Sequence, residues 1–221
     1  MGGCDMGKLR ARTGAEFEAR RQEILTAAGE LLMAESYEDI TLATIAERTS
    51  ISRPSMYNYY EKKELVFADL MILEYRRWEE DLRKTFTMKQ PREAFCKTMT
   101  ELLWERHLLL KLLSLQLTVW DHKYDDEVIV RFEEEVQPFF QTLGDVLRIQ
   151  FPDADSGARD MFRIQFTVYC NSLYLLDHLP ASQLNAMNDL NLFGKIPSGK
   201  DICYEGLMLL SAGLVCKSAG K

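Results

Sequence analysis

Apolar residues recur at intervals of three and four along almost the whole chain, and no segment alternates apolar and polar residues over the length of a strand. This spacing puts apolar side chains on one face of a helix, whereas a half-buried strand requires a period of two. The first long segment shows the helical spacing at Ile24, Ala28, Leu31 and Leu32. The sequence therefore predicts an all-α protein of nine or ten helices.

The lengths of the helical segments indicate two domains. We predict helices at about 16–35, 42–49, 53–59, 62–86, 91–107, 108–120, 125–150, 156–179, 183–190 and 200–216. The long amphipathic helix at 62–86 would connect an N-terminal domain, 1–62, with a larger C-terminal domain, 63–221. Before the first helix, Lys8, Arg10 and Arg12 form a basic arm, which is expected as a solvated tail rather than as a segment inserted into a DNA minor groove.

Composition excludes several classes of protein. Hydrophobic residues make up 47% of the chain, which indicates a soluble globular protein rather than a disordered one. The longest uncharged run, 164–176, is shorter than the roughly 18 apolar residues that a membrane helix needs. The first residues lack the apolar stretch of a secretory signal. We therefore expect a cytoplasmic protein without a membrane segment.

Residues with metal-binding or catalytic chemistry do not form known patterns. No two cysteines form a CxxC pair, so all five are expected as free thiols. They are Cys4, Cys96, Cys170, Cys203 and Cys216. The three histidines, His107, His122 and His178, are scattered, and the chain has neither a GxSxG motif nor a glycine-rich phosphate loop. We expect no metal, no cofactor and no enzymatic activity.

The net charge of −7 belongs mainly to the C-terminal part of the chain. Residues 1–63 carry nine basic and ten acidic side chains, whereas residues 64–221 carry eighteen and twenty-four. The charge of the whole chain therefore says little about one face of the first domain. Arg53, Lys62 and Lys63 form a local basic group there.

Two short helices, 42–49 and 53–59, are separated by a turn of about three residues, which is typical of a DNA-reading helix-turn-helix. Thr41 and Ser52 precede them as N-caps, and Pro54 lies in the first turn of the second helix. Met56 and Tyr60 share one row of that helix and are expected to face the protein interior. The other face would then enter the major groove of DNA.

The predicted DNA contacts come from that outward face and its flanks. Polar side chains suit bases and phosphates, the tyrosine hydroxyls suit phosphate oxygens, and Pro54 suits a thymine methyl. The set is Thr41, Ser52, Arg53, Pro54, Ser55, Tyr57, Asn58, Tyr59, Lys62 and Lys63. Short helix pairs also occur in bundles that never bind DNA, so a helical protein-interaction module stays open as the alternative.

The stretch from Glu23 to Phe67 resembles the tetracycline-repressor (TetR) family of bacterial regulators. The resemblance rests on Ile24, Ala27-Ala28, Ile45-Ala46, the run Ile51 to Tyr60, and Lys63-Glu64-Leu65. The family's characteristic reading-helix tyrosine and following lysine fall on Tyr57 and Lys63. Three positions depart from the family: Ser36 and Ser50 stand where glycine is usual, which predicts altered turns, and Tyr60 replaces a typical phenylalanine.

The resemblance implies a homodimer whose two reading helices recognise a near-palindromic double-stranded operator. It also implies a C-terminal domain that binds a small-molecule effector and thereby lowers the affinity for DNA, as in a repressor. We predict dimerisation through the helices at about 156–179 and 200–216, which are apolar on more than one face; closure of the domain's own core is the alternative. Gly206, Ser211, Ala212 and Gly213 would allow close helix approach there.

Aromatic residues with a few polar ones among them indicate a cavity for an apolar or aromatic effector in the C-terminal domain. Any one of them taken alone is more often plain core. The predicted lining is Trp78, Trp104, His107, Trp120, Phe139, Gln165, Tyr169 and Asn171.

Overall fold

The computed structural model describes residues 5–116, 125–192, 194 and 197–215, and these residues contain ten α-helices and no strand. The helices are α1 (Asp5–Ala34), α2 (Leu42–Glu47), α3 (Arg53–Met56), α4 (Lys63–Thr85), α5 (Arg92–Trp104), α6 (His107–Leu115), α7 (Asp126–Gln150), α8 (Ser156–Asp177), α9 (Ala181–Asp189) and α10 (Gly199–Ser211). A 3-10 turn, Ala212–Leu214, follows α10. The predicted all-α fold of nine or ten helices is confirmed.

The chain forms two compact units, Met1–Leu73 and Glu74–Lys221, and α4 runs through the division. The sequence predicts a boundary between 62 and 63, at the first residue of α4, whereas the contacts divide the chain inside that helix. The assignment of DNA binding to residues 1–62 and of regulation to residues 63–221 stays a prediction.

The core of unit 1 is the predicted apolar face of α1 packed with α2 and α3. Ile24, Ala28 and Leu32 are fully buried, and so are Ile45 of α2 and Met56 of α3. One expectation for this unit is wrong: residues 8–12 are not an irregular tail, because α1 already begins at Asp5. The basic arm therefore lies on the first turns of a 30-residue helix.

Caps define the two short helices, as predicted. Thr41 forms a capping box with Thr44, since each side chain accepts a hydrogen bond from the other residue's main-chain N–H. The Ser52 hydroxyl accepts from the N–H of Ser55, and Pro54 lies in the first turn. The second helix is shorter than the predicted 53–59: it ends at Met56 and continues to Tyr60 as hydrogen-bonded turns.

The turns at Ser36 and Ser50 are not strained by the loss of glycine. Among the described non-glycine residues, Asn191 alone has a positive φ, 48°. Both serines therefore adopt conformations that any L-residue tolerates, and these turns need no glycine.

Unit 2 is built around α8, which packs on α6, α7 and α10, while α5 packs on α10. Gly206 of α10 lies directly beneath the ring of Tyr169 on α8, whose hydroxyl donates to the carbonyl of Ile202 at 2.7 Å. A Cβ at Gly206 would overlap that ring. The small residue therefore permits close contact between helices of the same chain.

Candidate functional site

The segment 52–60 presents a polar surface outward and an apolar surface inward. Arg53, Tyr57 and Asn58 are exposed, with 64% of Tyr57 accessible, whereas Met56 and Tyr60 are buried. The predicted orientation of Met56 and Tyr60 is confirmed. The exposed set also contains Ser52 and Pro54, while Ser55 is half-buried.

Several of the predicted DNA contacts have partners within the protein. Thr41 and Ser52 are occupied as helix caps, and the Ser52 and Ser55 hydroxyls lie 2.8 Å apart. Arg53 forms an ion pair with Glu47 of α2. Both of these side chains are more than half exposed, so solvent screens the pair and Arg53 can exchange Glu47 for a phosphate at little cost.

Tyr59 does not face outward as the sequence analysis expected. Its ring is half-buried and stacks on Phe17 of α1, with ring centroids 4.7 Å apart and planes inclined by 22°. This contact joins the segment after α3 to the N-terminal part of α1.

The ammonium group of Lys63 is directed at the loop between α1 and α2. It donates to the carbonyls of Tyr37 and Ile40, both at 2.6 Å, and lies 3.4 Å from that of Glu38. It also stands 4.3 Å from the centre of the Tyr37 ring. Lys63 thus holds the loop between α1 and α2, and Lys62 beside it is half-buried; the DNA contacts of both lysines stay predictions.

The turn between α2 and α3 is held by α1 through a residue that the sequence analysis missed. Glu23 accepts the main-chain N–H of Ser50 at 2.5 Å and its hydroxyl at 2.9 Å, and Arg20 also bonds that hydroxyl. The bond from the Ser50 amide is the main reason that the pKa of Glu23 is lowered. The serine at this glycine-typical position therefore adds a hydroxyl contact to α1. No local pattern could reveal it, since the partners are 27 residues apart.

Unit 2 contains a small aromatic cavity of about 10 Å³ between α4, α6, α7 and α8. Two of the predicted lining residues, Trp78 and Phe139, take part in it. The full lining is Tyr75, Trp78, Leu113, Phe139, Phe166, Thr167 and Cys170. The indole N–H of Trp78 is buried without a hydrogen-bond partner. The residues missed by the sequence analysis follow ordinary core spacing, such as Phe166 and Cys170 on α8.

The other predicted effector contacts lie elsewhere in unit 2. Trp104 and His107 pack against each other at the turn between α5 and α6, with ring centroids 6.3 Å apart. Gln165 is exposed, and Tyr169 covers Gly206. Asn171 is buried, with its side-chain oxygen unpaired. Trp120 lies outside the described residues.

An open cleft of about 290 Å³ lies on the surface of α7 and α8 next to the cavity. It is lined by Phe140, Asp160, Arg163, Ile164 and Thr167. Thr167 lines both spaces, so the cleft and the cavity adjoin each other at this residue.

Helix α8 exposes several large apolar residues, and α10 exposes one. On α8 these residues recur at helical spacing, and on α10 Leu209 is 77% exposed. The exposed apolar residues of α8 are Met161, Ile164, Val168 and Leu175. Apolar residues grouped on one exposed helix face, as on α8, mark an interaction site more often than apolar residues that are exposed singly.

Among the described residues, no group of three or more His, Cys, Asp or Glu side chains is arranged to hold a metal ion. No helix in this part of the chain combines the length and the apolar character of a membrane span.

Two family models match the chain. One, described as bacterial regulatory proteins of the tetR family, matches residues 24–70, and the other, described as the tetracyclin repressor-like C-terminal domain, matches residues 73–217. No curated protein matches the sequence.

Solved structures of transcription regulators share the fold. The fatty acid degradation regulator FadR from Bacillus halodurans is 16% identical, with a TM-score of 0.57, over 86% of this chain and 94% of that one. FadR from Thermus thermophilus, a TetR-family repressor solved with lauroyl-CoA, is 17% identical with a TM-score of 0.56, over 91% and 98%. FadR from Bacillus subtilis, solved with stearoyl-CoA, is 16% identical with a TM-score of 0.58, over 87% and 98%.

Proposed function

Because the chain belongs to the TetR family of bacterial regulatory proteins, we propose that it is a ligand-responsive repressor that binds a near-palindromic operator as a homodimer. The observation that carries the proposal is the orientation of residues 52–60. Buried Met56 anchors the segment, and Arg53, Tyr57 and Asn58 are left exposed side by side. A segment of this size with its polar face exposed fits a major groove.

Selection of genomic DNA fragments by the purified protein tests this proposal. We expect the wild type to enrich a near-palindrome and a Tyr57→Ala/Asn58→Ala variant to enrich none, because both side chains are exposed on the reading face. Met33→Ala is the matched control, since it shortens an exposed side chain on α1 of the same unit. If the wild type enriches no sequence while circular dichroism shows it folded, the chain acts through a protein partner instead.

We place the dimer contact on the exposed face of α8, which carries several apolar residues, and on the exposed face of α10 around Leu209. The two helices pack on each other and present Val168 and Leu209 to solvent in the single chain. A second copy would cover both faces at once, since a twofold axis brings identical patches together.

We place the effector site at the aromatic cavity, approached through the cleft at Thr167. At about 10 Å³ the cavity holds a single water, so an effector must part the side chains around Trp78 and Phe139 to enter. This movement would link effector binding to α4, the helix that carries Trp78. Fatty acyl-CoA thioesters are the first class to test, because two relatives of the same fold were solved with them.

Titration of lauroyl-CoA into the complex with the enriched DNA fragment tests the site. We expect release of the DNA, and a Thr167→Met variant should need at least about tenfold more effector because the larger side chain blocks the approach. Ser182→Met, on the exposed surface of α9, is the control and should respond as the wild type does. An equal response of both variants would exclude this approach, and no release at any concentration would exclude lauroyl-CoA as the effector.

A further inference from the structure

Three side chains of unit 1 form a closed ring of hydrogen bonds beside the reading segment. Asp69 of α4 is only 6% exposed, and its Oδ2 accepts from Arg21 Nη2 at 2.6 Å and from the Tyr60 hydroxyl at 2.8 Å. Arg21 Nε also donates to the Tyr60 hydroxyl, at 3.1 Å. The ring thus joins α1, the end of the reading segment and α4.

The hydrogen bonds of the ring fix the orientation of the groups that they join. A buried carboxylate is costly unless it is paired and hydrogen-bonded, and here one oxygen receives both a guanidinium and a phenol. Burial, reinforced by the nearby Asp69 carboxylate, raises the pKa of Tyr60, so its hydroxyl stays protonated and donates at neutral pH. Apolar packing of Met56 resists separation but specifies direction weakly, whereas these bonds have defined lengths and angles.

The main chain connects the ring with the exposed reading face. The amide of Tyr60 donates to the carbonyl of Met56 at 3.1 Å, and Tyr57 and Asn58 lie within that turn. A shift of the Tyr60 ring therefore moves the residues that face outward. A phenylalanine, which is typical of the family at this position, would pack in the same space but could not join the ring.

We infer that Arg21, Tyr60 and Asp69 are positioning residues for DNA recognition, which set the orientation of residues 53–60 on α1 and α4 without touching DNA. The inference rests on the proposed function for the statement that these residues read DNA. The ring itself has a consequence that does not depend on DNA: without the hydroxyl of Tyr60, the segment is held less firmly.

Hydrogen–deuterium exchange of the full chain measures that consequence directly. We expect Tyr60→Phe to speed exchange of the amides in 53–60 about tenfold, the factor that corresponds to one lost hydrogen bond to a charged group, with α1 unchanged. Tyr37→Phe is the matched control, because it removes another buried phenol hydroxyl of the same unit. Unchanged exchange in Tyr60→Phe, or equal acceleration in Tyr37→Phe, would overturn the inference.

DNA affinity supplies the second readout, on the fragment enriched by the wild type and on a scrambled fragment of equal length. We expect Tyr60→Phe and Asp69→Asn to bind the enriched fragment about tenfold more weakly and the scrambled one unchanged, because phosphate contacts need less exact orientation than base contacts. Equal losses on both fragments, in proportion to a lower melting temperature, would show a merely structural role. If the wild type enriches no DNA, the proposed function fails, while the exchange result still decides the role of the ring.

Discussion

Lys63 illustrates how one side chain acquires a role that its position in a motif does not reveal. At sequence level it stands beside the reading helix as a phosphate contact, whereas its ammonium group donates to the carbonyls of the α1–α2 loop. The carbonyl of Tyr37 also accepts the amide of Ile40 within this loop, so Lys63 adds a charged donor to main-chain groups that lie outside any helix.

Lys63→Met should therefore destabilise the protein by about 2 kcal/mol, since hydrogen bonds from a charged donor are lost inside a partly buried loop. Lys84→Met, at the other end of α4, removes only an exposed pair with Glu80 and should change stability by less than about 0.5 kcal/mol. Urea unfolding measures both. Equal urea midpoints for the two variants would show that these hydrogen bonds do not stabilise the fold. DNA contact would then be the role that remains for Lys63.

The contact of Glu23 with Ser50 predicts a dependence on pH. The pKa of Glu23 is lowered in the folded state, chiefly by the Ser50 amide, so its stabilising effect is complete above the ordinary carboxyl pKa of about 4.3. The effect disappears as the pH falls through the lower, folded-state pKa.

Glu23→Gln should thus lower the urea midpoint at pH 7, and the difference from the wild type should shrink as the pH approaches 3. Glu30→Gln, on an exposed part of α1, is the control and should show no such convergence. A difference between wild type and Glu23→Gln that stays constant from pH 7 to pH 3 would contradict the assignment of this shift to Glu23.

At the scale of elements, most helix boundaries follow from local signals. Thr41 and Ser52 begin α2 and α3 by capping, and the apolar row of α1 is the buried one, because these effects act within one or two turns of chain. The end of α3 is different. Tyr59 stacks on Phe17 and Tyr60 bonds Asp69, and these distant contacts favour turns over a further helical turn.

The contact of α8 with α10 depends on one missing Cβ. Gly206→Ala should cost about 2 kcal/mol, because the added methyl overlaps the ring of Tyr169. Burial raises the pKa of Tyr169 to about 12, so its hydroxyl stays neutral and bonded to Ile202 throughout the usual pH range.

Gly144→Ala on α7 is the matched control for that change. Its Cβ would have room, and alanine is the better helix former, so a gain of about 0.5–1 kcal/mol is expected. Thermal unfolding separates the two outcomes. A Gly206→Ala protein as stable as the wild type would mean that the Tyr169 ring moves aside freely.

For the whole molecule, the exposed apolar residues of α8 and Leu209 of α10 predict self-association. Val168→Glu/Leu209→Glu should convert a dimer to a monomer and weaken operator binding at least tenfold, since charges would have to be buried in the contact and one subunit engages only half a palindrome. As a control, Met88→Glu introduces one glutamate at a residue that is 70% exposed outside these helices, and it should leave the dimer intact. Sedimentation velocity gives the masses, and a double variant that stays dimeric places the interface elsewhere.

The sequence alone was sufficient for the all-α class, the two short capped helices and the inward direction of Met56 and Tyr60. These features depend on helical period and on caps, which act between residues a few positions apart. The family followed from the same stretch, because its motif lies within one run of chain.

Only the tertiary structure decided what the side chains contact. It assigned Lys63 to a loop, Tyr59 to Phe17 and Tyr60 to Asp69, and it brought Tyr75 and Cys170 to the cavity while leaving Gln165 exposed. The helical period identifies the apolar face of a helix, but it does not identify the element against which that face packs. These partners lie on different elements and are chosen by packing in three dimensions, and that information is absent from any local pattern.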